Sequence, residues 1–135
     1  MEITLKEATA VFSLAKQKAG ELGVPVNIVV LDTAGHLKSF ERMDNAFLGS
    51  IDIAFKKAKT ASLFRMNSEQ VGEFLKPESG TYGMVNTSDG LVGFPGGMPI
   101  LKNQEIIGYI GVSGGAVPQD FAIATAGASL YGHTN

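Results

Sequence analysis

Apolar positions recur at helical spacing from the start of the chain. Leu5, Ala8, Val11, Phe12, Ala15, Ala19 and Leu22 lie on one face, and Thr4 with Glu7 forms a capping box ahead of them. Gly23 and Pro25 end this first helix. Residues 26–31 are continuously β-prone and predict a strand, Asp32-Thr33-Ala34-Gly35 a turn, and residues 36–42 a returning strand. Alternation puts His36, Lys38, Phe40 and Arg42 on one face of that strand. Asp44 then caps a predicted helix over residues 45–64, with a core stripe of Phe47, Ile51, Ala54, Phe55, Ala58, Ala61 and Ser62. A second patch, Ile53, Lys57, Thr60 and Phe64, falls off that stripe. It predicts burial against a partner subunit, or else coverage of both helix faces within one chain.

Asn67-Ser68-Glu69-Gln70 opens a short helix that ends before Pro77. Residues 76–98 have no periodicity and are punctuated by glycines, as functional loops often are. They are expected to line a cleft together with Ser113, Gly114 and Gly115. Residues 98–101 and 105–112 predict a second hairpin about Lys102-Asn103-Gln104. Ser113-Gly114-Gly115 breaks the last strand, Pro118 suits a first helical turn, and Asp120 suits the positive end of the helix dipole. Two hairpins with helices packed on one sheet make an α+β sandwich rather than a doubly wound parallel fold.

Composition narrows the function classes. The 135 residues fit one domain, 1–135. A net charge of −2 argues for neither nucleic acid nor an anionic membrane as partner. The absence of cysteine removes disulfides, thiolate catalysis and thiolate ligation. No apolar run spans a bilayer and no basic-then-apolar leader is visible, so a cytoplasmic location is expected.

Candidate chemistry is sparse. His36 and His133 are the only histidines, and neither has a metal-spaced partner. His36 with Asp32 could hold one metal, though a turn histidine is commonly just exposed. Ser113, Asp120 and His133 are triad ingredients without a reason to meet. Arg42 could grip a carboxylate, or pair with Glu41 or Asp44. Asp52 and Lys56 form an i,i+4 pair. The 113–115 turn is either a tight connection or an anion cradle.

Several segments, in order, carry a family resemblance: Val-Leu-Asp-Thr-Ala-Gly-His-Leu (30–37), Phe-Glu-Arg-Met-Asp-Asn-Ala (40–46), Ala-Phe-Lys-Lys-Ala-Lys-Thr-Ala (54–61), Gly-Gly-Met-Pro-Ile (96–100) and Ile-Gly-Tyr-Ile-Gly-Val-Ser-Gly-Gly (107–115). Across nearly its whole length the chain resembles the GlcG/HbpS family. That family includes the C-terminal domain of PduO-type adenosyltransferases and small companion proteins of glycolate and diol/glycerol catabolism. The resemblance implies a profilin-like fold, a central antiparallel sheet with helices on both faces. It implies a homo-oligomer, octamers being among the family's assemblies, and heme as a cofactor of some members. Carried onto this chain, the resemblance implies Thr60 or His36 as iron ligand; Arg42, Lys56, Lys57 and Lys59 are the cations available for propionates, and Gly96, Gly97, Ser113, Gly114 and Gly115 complete the expected cofactor-binding residues as close-approach backbone. Three functions follow as alternatives: a cytosolic oligomeric heme- or tetrapyrrole-binding protein of a catabolic operon, an enzyme on a small oxygenated carboxylate or aldehyde, or a purely structural companion.

Overall fold

A computed structural model describes residues 1–132. The chain folds as α1 (Leu5–Leu22), β1 (Asn27–Leu31), β2 (Leu37–Arg42), α2 (Gly49–Phe64), α3 (Ser68–Gly72), a run of 3-10 turns, β3 (Gly97–Lys102), β4 (Glu105–Ser113) and α4 (Val117–Ala128). The four strands make one antiparallel sheet in the order β2-β1-β4-β3.

Strand alternation divides the core into two layers. Ile28, Val30, Ile110 and Val112 point to the side covered by α1 and α4, where they meet Val11, Phe12 and Ile123. Val29, Leu31 and Tyr109 point to the other side, onto Ala54, Ala58 and Ala61 of α2. The fold is therefore α+β with helices on both faces of the sheet, as expected.

Local signals hold at the ends of α1. Thr4 and Glu7 form the reciprocal capping box, and Gly23 ends the helix at φ 69°. Leu5 and Leu22, at the two ends of the helix, depart from the predicted stripe and are exposed.

The start of α2 also departs from expectation. The helix begins at Gly49, not at residue 45, and Asp44 does not cap it. Asn45 adopts φ 70°, which turns the chain instead of starting a helix. Phe47 is consequently exposed, while its carbonyl accepts from Asn27 Nδ2 at 3.0 Å. The off-stripe residues Lys57 and Thr60 are buried within this one chain, so that half of the patch faces no partner.

Candidate functional site

Lys57 is the centre of the buried polar structure. Its Nζ donates to Val112 O at 2.9 Å and to Asp120 Oδ2 at 3.0 Å, with the Phe94 ring centroid 5.0 Å away. The ammonium thus meets a carbonyl, a carboxylate and a π face. Burial pushes its pKa down, and the Asp120 charge opposes that push. Asp120 Oδ1 also accepts from Gly115 N at 2.9 Å. Asp120 therefore serves a buried ion pair and the strand-to-helix turn, rather than only the helix dipole.

The glycines around this pair are packed against the protein's own atoms. A Cβ at Gly96 would lie 2.4 Å from Val112 O and 2.8 Å from Lys57 Nζ, and one at Gly97 would lie 2.1 Å from Lys57 O. A Cβ at Gly114 would lie 2.7 Å from Pro25 O, and one at Gly115 would lie 2.8 Å from Gln119 Oε1. Ser113 is buried at the end of β4.

The segment before β3 is strapped down at several points. Thr60 Oγ1 accepts from Val92 N at 3.0 Å, with Thr60 only 1% exposed. Ser68 Oγ donates to Phe94 O at 2.7 Å and accepts from Gly97 N at 3.0 Å. A Cβ at Gly72 would collide with Gly93 O at 1.9 Å, so two backbones run in contact there. These contacts hold residues 92–97 against α2 and α3.

A second group of predicted residues lies in the β1–β2 turn and on α2. The side chain of His36 is 80% exposed, and its Nδ1 sits 3.5 Å from Asp32 Oδ2. Asp32 Oδ1 accepts from Ala34 N and His36 N, each at 2.9 Å. Partial burial would raise the Asp32 carboxyl, but these N–H donors outweigh it and hold it below the usual carboxylate range. The turn abuts α2, since a Cβ at Gly35 would lie 3.3 Å from Ser62 Oγ. On that helix Lys56 lies 3.4 Å from Asp52, the i,i+4 pair expected, and Lys59 Nζ reaches Ser88 O at 3.4 Å. Phe40 of β2 stacks on Phe55 of α2 at 5.4 Å.

Arg42 joins neither group. It is paired with Asn27 at the opposite end of β2, six residues and about 20 Å along the strand from His36. Glu41 instead pairs with Lys16 at 2.8 Å, and among the described residues Arg42 has no ion pair. His133 lies outside the described residues. Among the described residues no cluster of three His, Cys, Asp or Glu could hold a metal.

A concavity lies elsewhere, where α2, α3, the edge strand β3 and α4 meet. It encloses about 550 Å³ and is lined by Arg65, Gln70, Leu101, Phe121, Thr125 and neighbours. Sequence reasoning passed over it, along with the Lys57–Asp120 pair. The one available signal was Lys57 itself, a charge on a patch otherwise suited to burial.

Comparison with known proteins gives a consistent result. Residues 3–129 match the family described as "Haem degrading protein HbpS-like". A 15.0 kDa protein of the dhaT–dhaS intergenic region of Citrobacter freundii is 38% identical over 123 residues, covering 90% of this chain and 87% of that protein. The crystal structure of a PduOC–heme complex superimposes with a TM-score of 0.88 at 29% identity, over 95% of this chain and 94% of that one. A double mutant of HbpS from Streptomyces reticuli gives 0.86 at 28% identity, over 98% and 89%.

Proposed function

This chain belongs to the HbpS-like family, and from that premise we propose that it is a heme- or tetrapyrrole-binding protein of the cytoplasm that works as a homo-oligomer in glycolate or diol/glycerol catabolism. The observation that carries the reading is the His36 imidazole. It is exposed, and Asp32 beside Nδ1 leaves Nε2 as the outward nitrogen. The His36 turn abuts α2 at Ser62, and in this reading Lys56 and Lys59 of that helix supply cations for propionates and the exposed Leu63 supplies apolar contact. A superimposable relative is described in complex with heme.

Thr60 is the weaker choice of ligand, because its hydroxyl already accepts from Val92 N and is buried. In this reading Gly96, Gly97, Ser113, Gly114 and Gly115 are scaffold, and Arg42 belongs to a different surface. Bound heme supplies redox and oxygen chemistry. The protein's own part is to offer Nε2, fix the ring through Asp32 and neutralise the propionates. An exposed ligand also needs a second surface over the porphyrin, and another copy of the chain would supply it.

Hemin titration tests this. We expect a shifted Soret band, lost in His36→Ala and kept in Thr60→Ala and in the control Lys16→Ala. Equal spectra and affinities for His36→Ala and the control would overturn the assignment.

A further inference from the structure

We propose that the cleft between α2, α3, β3 and α4 binds an amphipathic carboxylate that carries a hydroxyl at its far end. The inference is independent of heme, since none of the residues assigned to that surface lines the cleft.

Three features of the cleft specify the ligand. The first is a free cation at one rim. Arg65 lines the cleft and, among the described residues, makes no ion pair. It occupies the left-handed C-cap of α2 at φ 55°, where glycine is the ordinary choice. A long cationic side chain at a position that favours glycine points to a use for the side chain.

The second is the orientation of the polar groups. Gln70 Oε1 accepts from Asn67 N at 2.8 Å, which leaves the amide NH2 as the free end in the cleft that Arg65 also lines. Arg65 and the Gln70 amide are thus the free donors at the α2–α3 rim, where Asn67 Nδ2 is already committed to Glu69 Oε2 at 2.9 Å. Across the cleft the pattern inverts. Thr125 Oγ1 donates to Phe121 O at 2.7 Å, and Ser129 Oγ donates to Thr125 O at 2.6 Å. With their protons committed to helix carbonyls, these hydroxyls offer only lone pairs. A ligand that satisfies both rims has an anionic acceptor at one end and a donor at the other.

The third is the wall between the rims. Leu101, Ile106 and the exposed Phe121 ring make it apolar. The volume of about 550 Å³ lies within the range of small-molecule sites. A carboxylate meeting a guanidinium can bind in bidentate fashion, which makes Arg65 the anchor.

The test uses 3-(4-hydroxyphenyl)propionate as probe and its uncharged amide as comparison. Binding to the intact protein is read by calorimetry and by amide chemical-shift changes. We expect saturable binding of the acid, with shifts confined to the cleft. Arg65→Gln should weaken the acid about tenfold, and it should leave the amide unchanged. Phe121→Ala should weaken acid and amide alike. Absence of saturable binding to the intact assembly, equal affinity for acid and amide, or an Arg65→Gln variant that binds like the wild type would each overturn the proposal.

Discussion

Removing Lys57 strands the Asp120 carboxylate among apolar side chains, because both members of the pair are almost fully buried. Lys57→Met should therefore cost about 3–5 kcal/mol in urea unfolding. The double change Lys57→Met/Asp120→Asn should cost less than the single one. It removes the orphan charge and still leaves an acceptor for Gly115 N. If the double variant is no more stable than Lys57→Met, the charge itself is not the source of the cost. Glu7 provides a second titration at this scale. The Tyr131 hydroxyl and then the Thr4 N–H hold its carboxyl down at about 2, against an ordinary 4.5. A depressed carboxyl contributes stability above its unfolded pKa and loses it as pH falls through the folded value. The contribution is thus complete above about 4.5 and fades towards 2. Tyr131→Phe should lower the melting temperature above about pH 4.5 and flatten its fall between there and about 2, because the folded carboxyl then titrates closer to its unfolded value, measured as melting temperature against pH.

Among the secondary elements, the packing of α2 depends on a cross-strand pair of glycines. Gly97 and Gly111 are register partners in β3 and β4. A Cβ on Gly97 would lie 2.1 Å from Lys57 O, and one on Gly111 would lie 2.1 Å from Ala54 O. The helix backbone therefore rests directly on a flat strip of sheet. Gly111→Ala should push the two apart and destabilise the fold by about 1–3 kcal/mol, more than an exposed Gly49→Ala, which meets nothing. Comparable melting temperatures for the two variants would contradict this account. Much of the architecture was legible because it is locally encoded. The Thr4–Glu7 box, Gly23 and both hairpin turns are specified within a few residues. The start of α2 was misread because Phe47 falls in helical phase, whereas the conformation of Asn45 breaks the helix. The Gly97–Gly111 strip depends on strand register. The Lys57–Asp120 pair joins residues far apart in sequence, so no short window contains either. The predicted site dispersed for the same reason. His36 precedes β2 and Arg42 ends it, and the bulge at the Val30/Leu31 step breaks the alternation that was to put both on one face.

For the whole molecule, the remaining apolar surface decides how copies would meet. Phe47 is 71% exposed and Leu48 is 68% exposed, side by side at the entrance to α2. Phe74, Tyr82 and Phe94 are also exposed along the segment before β3. The sheet edges are poor sites for association by strand addition. β3 carries Pro99, which has no N–H to donate, and β2 presents Lys38 and Arg42. Association should therefore proceed through side-chain patches rather than through a continuous intermolecular sheet. Light scattering should give a mass that is a multiple of 14.2 kDa at micromolar concentration. Phe47→Ser/Leu48→Gln should lower that mass, yet leave the far-ultraviolet spectrum of the chain intact, because neither side chain belongs to either core layer. Ile53→Glu, on a partly buried position of the same helix, should act in the same direction with some loss of stability. A monomeric wild type would remove the need for a covering partner and with it this explanation of the patch. An oligomer unchanged by the double substitution would move the contact to the Phe74–Phe94 surface.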